Sequence, residues 1–378
     1  MSTLGRGRQP LEEADLVVLS HLRWDWVWQR PQHLISRMAQ RRRTLFVEEP
    51  VRGHVDAPTA RVHEEGVLTR LWVETPAPSG AIEYSRGGVR AEYVAAIEHW
   101  LGGRERDVWL YAPTALAIAE ALQPRLVSYD VMDDLSSFAD ATPQLARLMR
   151  QALARADVVF AGGRSLHRAA AAMREDEPTY LFPSGVECSH YRASRRYRRP
   201  AARPVAGYVG VIDERFDFDL LAEMASALPE WEIQLVGPTA KVDPAAIPQA
   251  GNIRRLGQQP YERLPPIMAS FDVALMPFAL NEATRSISPT KTLEYLAAGL
   301  PVVSTRVSDV VADWSEVVHF ADTGAEFAQA CRVVRTHARG DRDRQLEPLL
   351  ARYEWDAIVE AMDDALARAV PACRSAAA

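Results

Sequence analysis

NEATRSISPTKTLEYLAAGLPVVST, residues 281–305, reads as a helix that stops at a glycine and turns at once into a buried strand. Ser288 suits an N-cap and Pro289 the first helical position. Gly299 suits the left-handed residue past the helix end, and Pro301 forbids continuation. PVVST, 301–305, is then a short apolar strand. One residue is out of keeping. A capping box would place Glu or Gln at position 291. The chain has Lys291 there, with Arg285 just upstream. A cation at the positive end of a helix dipole costs about 0.3–1 kcal/mol, so this lysine needs a reason.

Working outward, the same alternation of strand and helix fills the chain. DLVVLS (15–20), TLFVEE (44–49), DVWLYAP (107–113), RLVSYDVM (125–132), DVVFAGG (157–163) and TYLFP (179–183) read as strands. GVLTRLWVE (66–74) reads as one or two more. Helical patterns lie between them near 31–40, 91–101, 114–122, 142–156 and 165–173. RASRRYRRPAARP (192–204) holds six arginines and two prolines with no apolar period, and reads as a linker. The pattern then restarts with VAGYVGVI (205–212), a helix at 217–228, EIQLVGP (232–238), NIRRLG (252–257), a helix at 260–269 and DVALMPF (272–278). Residues 355–370 form an amphipathic helix. This predicts an α/β protein of two Rossmann-like doubly wound domains. The N-terminal domain takes 1–190 and is joined by the terminal helix, 355–378. A linker takes 191–204, and the C-terminal domain 205–354. Ligands in such sheets bind beyond the carboxyl ends of the strands, which makes the cleft between the two halves the expected site.

Composition agrees. A chain of 378 residues is too long for one ordinary core. A net charge of −6 gives no support for general nucleic-acid binding. Cys188, Cys331 and Cys373 are distant and odd in number, as expected of a reducing cytoplasm. The apolar run LVVL near the N-terminus is too short for a signal-peptide core, and no apolar run approaches a membrane span. RMAQRRRT (37–44) and the arginine linker leave contact with anionic head groups open. Arginines complementing a helix C-terminus are the plainer reading.

The motifs narrow the chemistry. DFD (217–219) looks like a metal-binding pair but reads better as an N-cap, with Asp219 complementing the dipole. In YVGVIDERFD (208–217), Gly210 ends a strand and Arg215 precedes a helix start, where a backbone and a guanidinium can meet an anion. Arg285 and Lys291 gather charge at a second helix start. Two such starts in one α/β half suggest a shared diphosphate. Glu294 lies one turn after Lys291 and either pairs with it or accepts ribose hydroxyls. In SHLRWDWVWQRPQHL (20–34), His21, Trp24, Asp25 and Arg30 follow the first strand and suit a carbohydrate or other polar acceptor. The alternative is that the tryptophans pack under the loop. In YDVMDDLSSF (129–138), Asp133 and its neighbours either orient acceptor hydroxyls or cap a short helix. GxGxxG, Walker A, HExxH and GxSxG are absent.

VAGYVGVIDERFDFDLL, IQLVGP, NIRRLGQQPYERLPPIMASFDVALMPF and SPTKTLEYLAAGLPVVST resemble the C-terminal half of GT-B glycosyltransferases, above all family 4. WDWVWQRPQHL, ARADVVFAGGRSL and LFPSGVE resemble the N-terminal half of that group's bacterial members. The resemblance implies a nucleotide-sugar donor domain at the C-terminus and an acceptor domain at the N-terminus, facing across a cleft. It places Glu294 on the ribose, Arg215 on the diphosphate and Gln258 near the nucleobase. Lys291 and Arg285 do not sit at the family's usual basic positions and are assigned to the diphosphate from their charge alone, with Gly210, Ser286 and Thr292 completing the donor set. Arg215 and Lys291 would stabilise the departing diphosphate. The first glutamate of the family's pair is Ser286 here, and Val211 stands where an arginine often follows the strand glycine. The implied activity is hexosyl transfer to an acceptor hydroxyl, retaining and without metal or cofactor, in cell-surface polysaccharide or natural-product synthesis. The acceptor would be a carbohydrate, a lipid-linked saccharide or a small molecule. The location would be the cytoplasm, with contact at the inner membrane face left open. A nucleotide-sugar epimerase and a non-catalytic binding protein are the alternatives.

Overall fold

The computed structural model describes residues 11–76, 84, 87–138, 141–174, 177–198, 202–336 and 339–370. The extreme N-terminus, Cys373, positions 199–201 of the expected linker and residues 371–378 of the expected terminal helix lie outside them. The chain divides into two compact units: Met1–Gly162 with Leu166–Phe182 and Asp356–Ala378, and Gly163–Ser165 with Pro183–Trp355.

The first unit is built on strands β1 (Asp15–Leu19), β2 (Thr44–Val47), β3 (Val51–Arg52), β4 (Thr59–Glu65), β5 (Leu68–Thr75), β6 (Arg106–Leu110), β7 (Leu126–Val131), β8 (Val158–Ala161) and β9 (Thr179–Leu181). Their order is β3-β5-β2-β1-β6-β7-β8-β9. All pairings are parallel except that of β4, which runs antiparallel along β5. The turn at Gly66 (φ +59) closes that hairpin. The sequence reading missed β4, because TARVHEE is largely exposed and carries no buried face to read. Helices α1 (Arg30–Met38), α2 (Gly87–Leu101), α3 (Leu116–Ala121), α4 (Pro143–Arg155) and α5 (Arg164–Ala171) connect the strands.

The second unit begins with α6 (Cys188–Arg192) and α7 (Ser194–Tyr197), followed by β10 (Val205–Val209), α8 (Phe218–Ala227), β11 (Glu232–Val236), β12 (Ile253–Gly257), α9 (Leu264–Met268) and β13 (Val273–Met276). Then come α10 (Lys291–Ala297), β14 (Val302–Ser304), α11 (Ser308–Trp314), β15 (Val318–Phe320), α12 (Gly324–Arg335) and α13 (Arg339–Ala351). The stretch read as a linker is thus helical up to Tyr197. Cys188, Tyr191 and Ser194 are buried there, a spacing of three that the arginines hide.

The six strands of this unit are all parallel, in the order β12-β11-β10-β13-β14-β15. Counted within the unit, that is 3-2-1-4-5-6, with the reversal between β10 and β13. Val273 and Leu275 enter one core with Leu221, Met224 and Phe327. Ala274 and Met276 enter another with Leu293, Leu296, Leu346 and Leu350. Side chains alternate across a strand, so a sheet covered on both faces needs an unbroken apolar run, and VALM supplies it.

Helix α14 (Trp355–Ala369) carries the residues from Asp356 onward into the first unit. Arg37 pairs with Asp356 at 2.5 Å and Arg41 with Asp363 at 2.8 Å. Arg42 is buried on Asp107 at 2.9 Å, and Arg43 meets Asp15 at 2.6 Å while lying over the Trp100 ring. The arginine run considered for head groups is therefore matched by internal carboxylates. Among the described residues no helix is long and apolar enough to cross a membrane.

Candidate active site

The second unit's strands β10, β11 and β12 each stop at a glycine with positive φ: Gly210 (+148°), Gly237 (+139°) and Gly257 (+64°). The backbone packs tightly there. A Cβ on Gly237 would lie 2.0 Å from the Gly210 carbonyl oxygen, and Gly237 N–H donates to the Gly257 carbonyl at 2.8 Å. Only glycine fits such an approach, and it leaves bare backbone at the carboxyl ends of three adjacent strands.

At the point of reversal, β10 and β13 part. Their ladder covers only Ala206↔Val273 and Gly207↔Ala274. The Val209 N–H turns instead to the Tyr295 hydroxyl of α10 at 2.8 Å. That bond ties α10 to the end of β10, and Lys291, at the start of the same helix, lies against Gly210. A Cβ on Gly210 would meet Lys291 Cε at 2.1 Å and Nζ at 2.6 Å. The ammonium sits 5.5 Å from the Tyr208 ring centre and 5.9 Å from that of Phe278. Both are within cation–π range, worth about 0.5–1 kcal/mol each at most on an accessible group. Helix α10 begins at Lys291, two residues later than the expected start at Pro289. The Ser288-Pro289 pair precedes the helix, and the Thr290 side chain makes no cap bond.

The other expected donor residues fall around this point unequally. Arg215 makes a bidentate pair with Asp213, Nε–Oδ1 3.0 Å and Nη2–Oδ2 2.6 Å, and Asp213 is itself buried. The pair is neutral, so Arg215 adds no net charge. Its carbonyl accepts from Ala279 N–H at 2.9 Å, which keeps it beside Phe278. Arg285 lies in an exposed turn and pairs with Glu282 at 2.9 Å. Of the three cations expected to converge, Lys291 is seated at the strand ends, while Arg215 and Arg285 are held by Asp213 and Glu282. Thr292 is also corrected. It is fully buried with its hydroxyl on the Met276 sulfur at 3.4 Å, turned into the core. Ser286 is half-buried, and Gln258 is exposed just after Gly257. Glu294 is half-buried, its carboxyl held above the usual range by burial, against the opposing pull of Lys291. Asp217 caps α8, accepting from Leu220 N–H at 2.9 Å, as its spacing predicts.

Sequence reasoning missed Gly237, Tyr208 and Tyr295. The glycine signal was present: YVG (208–210), LVG (235–237) and RLG (255–257) end three successive strands alike. The tyrosines carry no such signal, because tertiary packing alone places the Tyr208 ring beside Lys291 and the Tyr295 hydroxyl on the Val209 N–H.

In the first unit the acceptor expectations are largely corrected. Arg30 is 2% exposed and grips Asp130 at 2.9 Å through both Nε and Nη2, while Nη1 reaches the Phe182 carbonyl at 2.9 Å. It is a buried structural pair. Trp24 is buried against Phe46, its N–H on Glu48 at 3.1 Å. Residues 21–26 bend and turn, so the three tryptophans do not all pack under the loop, and Trp26 and Trp28 are the exposed rings. Asp25 is exposed and pairs with Arg70 at 3.1 Å. His21 and Asp133 are half-buried at the ends of β1 and β7. The neighbouring Asp134 caps a 3-10 turn, accepting from Ser136 N–H at 3.1 Å.

At the end of β2, Glu48 is fully buried and satisfied by Arg23, Arg70 and the Trp24 N–H. Glu49 beside it is half-buried, and burial pushes its carboxyl up to about 7. A carboxyl raised on folding binds more protons folded than unfolded, so its ionisation weakens the fold as pH rises from 4.5 to 7. Glu49→Gln is expected to gain about 1–2 kcal/mol at pH 8 and nothing at pH 4.5, read from urea unfolding at the two pH values.

With this geometry in view, comparison with known proteins is informative. Residues 203–336 match the family model described as glycosyl transferases group 1. A Bacillus subtilis (strain 168) protein named "Putative teichuronic acid biosynthesis glycosyltransferase TuaH" is 25% identical over 194 residues, 48% of this chain and 49% of the relative's length. The match thus spans about half of that curated relative. Among solved structures, sucrose-phosphate synthase from Thermosynechococcus elongatus superposes with a TM-score of 0.72 at 14% identity, covering 94% of this chain and 98% of that one. A trehalose-6-phosphate protein of E. coli bound with UDP-2-fluoro glucose gives 0.67 at 13% identity, covering 94% and 99%. Anabaena HepE in complex with UDP and glucose also gives 0.67 at 13%, covering 94% and 100%. The chain therefore has the GT-B fold, and its residues 203–336 are similar to the glycosyl transferases group 1 family.

Proposed function

We propose that the protein is a glycosyltransferase that moves a sugar from a nucleoside diphosphate donor to an acceptor hydroxyl. The observation that carries this reading is the Lys291 ammonium laid over Gly210 at the point where the strand order reverses. A diphosphate beyond β10 and β11 would meet bare backbone at Gly210 and Gly237 and one fixed cation. In transfer, negative charge grows on the departing diphosphate. A cation already in place stabilises that charge more than it stabilises the ground state. Glu294, one turn on, would take the ribose hydroxyls.

The comparisons support the same reading. The Bacillus relative is named for teichuronic acid biosynthesis, and two structural neighbours hold UDP or a UDP-sugar analogue. We read the donor as a UDP-sugar, the outcome as retaining, the reaction as independent of metal and cofactor, and the setting as cell-surface polysaccharide synthesis at the cytoplasmic side. The acceptor is a carbohydrate, free or lipid-linked. In the first unit the exposed rings of Trp26 and Trp28, rather than Trp24, would offer faces on which a sugar stacks.

The test is incubation with UDP-, GDP- and ADP-sugars, with and without a panel of saccharide acceptors, in the presence of EDTA. Release of nucleoside diphosphate that depends on acceptor, with an axial or equatorial product bond matching the donor, is expected. Epimerised donor without acceptor, or donor bound and never turned over, would contradict the assignment.

A further inference from the structure

We infer that Tyr295 and Tyr208 are positioning residues for the donor's diphosphate, their hydroxyls clamping the end of β10 beneath Lys291. The inference rests on the donor-binding reading above and goes beyond it, because neither tyrosine has a part in that reading.

The need for a clamp follows from the sheet. On one side β10 keeps its neighbour to the end. Val209 is in register with Val236 of β11, and Gly210 N–H donates to the Val236 carbonyl at 2.8 Å. On the other side the ladder to β13 stops at Gly207↔Ala274. A strand that parts from its neighbour leaves backbone N–H and C=O groups to be satisfied in some other way. Val209 is buried, which denies its groups the alternative of water. The Tyr295 hydroxyl serves both at once. It accepts from the Val209 N–H at 2.8 Å and donates to the Val209 carbonyl at 3.3 Å. A phenol is both donor and acceptor, so one side chain stands in for the missing strand.

Tyr208 holds the other side of Gly210. Its hydroxyl donates to the Val211 carbonyl at 2.8 Å, and a Cβ on Gly210 would stand 3.2 Å from that same hydroxyl oxygen. Its ring packs edge-on against Phe216 at 4.9 Å, with the Lys291 ammonium 5.5 Å from the ring centre. Tyr208 is 1% exposed and Tyr295 fully buried. The residues before and after Gly210 are thus each tied by a hydroxyl whose ring is fixed in the core.

Lys291 and Tyr295 lie four residues apart on α10, and so on one face of it. The bonds from Tyr295 to Val209 therefore set where that face meets β10, and with it where the Lys291 stem crosses Gly210. Such buried hydroxyls do not meet a ligand. They hold the bare backbone and the ammonium in one relative position before a diphosphate arrives, so binding need not order them.

The test compares wild type, Tyr295→Phe, Tyr208→Phe, Lys291→Ala, and each Phe variant combined with Lys291→Ala, all as the full chain. The ligands are whichever of UDP, GDP and ADP the wild type binds best, read by calorimetry, and the matching nucleoside, read by ligand-observed NMR titration. Thermal unfolding sets a temperature at which the variants are folded. Each Phe variant keeps its ring and is expected to weaken the diphosphate about tenfold while binding the nucleoside as the wild type does. A variant that merely loosened the fold would weaken both ligands alike. In the combined variants the loss should be no greater than in Lys291→Ala alone. Wild-type affinity for the diphosphate in either Phe variant would overturn the inference, as would equal losses for the two ligands, or losses that simply add to that of Lys291→Ala. If one Phe variant fails to fold, the other decides by the same criteria. Failure of the wild type to bind UDP, GDP or ADP would instead remove the donor reading on which the inference rests.

Discussion

Replacing Lys291 with alanine is expected to lower kcat/KM for the proposed sugar donor by about 10²–10³-fold, the range seen when one fixed donor to a developing anion is removed. The fold should survive. Lys291 stands at the first position of α10, where the helix dipole opposes it, so its loss costs a few tenths of a kcal/mol at most. Arginine should not rescue it. Of the 44 basic residues in the chain only two, Lys241 and Lys291, are lysine. A composition this biased toward arginine makes the lysine at 291 notable. The stem passes where a Cβ on Gly210 would stand, 2.1 Å from Cε, and a planar guanidinium on that path would have to displace backbone. Gly210→Ala should fail for the same reason, and for its φ of +148°. Because both changes act on one feature, Gly210→Ala should add little to the activity loss of Lys291→Ala. Steady-state transfer assays on the single and double variants check this; a Lys291→Arg protein of normal turnover would refute the steric argument.

The largest effect on stability is expected at Arg30. Arg30→Ala leaves Asp130 buried without a counter-charge and strips a donor from the Phe182 carbonyl. Breaking one side of a buried ion pair costs about 3–5 kcal/mol, much of it the penalty of the orphaned carboxylate. Urea unfolding should show the midpoint falling at constant slope. Replacing both members with apolar residues of similar volume should recover much of the loss, because the pair's own desolvation cost vanishes with it. The outcome separates two roles. A structural Arg30 lowers stability and leaves the acceptor KM alone at temperatures where the variant is folded. A variant of normal stability with a raised acceptor KM would return Arg30 to the acceptor site.

The fold was legible because its central strands are buried on both faces. DVALMPF and PVVST leave no other reading, and their alternation with helices calls for a parallel sheet. The donor end of the site was half legible. Gly210, Lys291 and Glu294 stand out locally: a strand-end glycine, a cation at a helix start and an acid one turn after it. The charge balance was not legible. Nothing in DERF announces that Asp213 neutralises Arg215 across one intervening residue. The acceptor half misled for a related reason. A tryptophan or arginine after a strand looks alike in sequence whether it faces solvent, as Trp26 does, or closes over the core, as Trp24 and Arg30 do. Tyr191 was hidden among arginines, whose density made a helix look like a linker.

A crystal structure of the protein with UDP, with GDP and ADP as parallel soaks, tests the central claim most directly. The diphosphate should lie over Gly210 and Gly237 with an oxygen within hydrogen-bond reach of Lys291 Nζ. A nucleotide bound with its phosphates remote from Lys291, or none bound by any of the three, would contradict it.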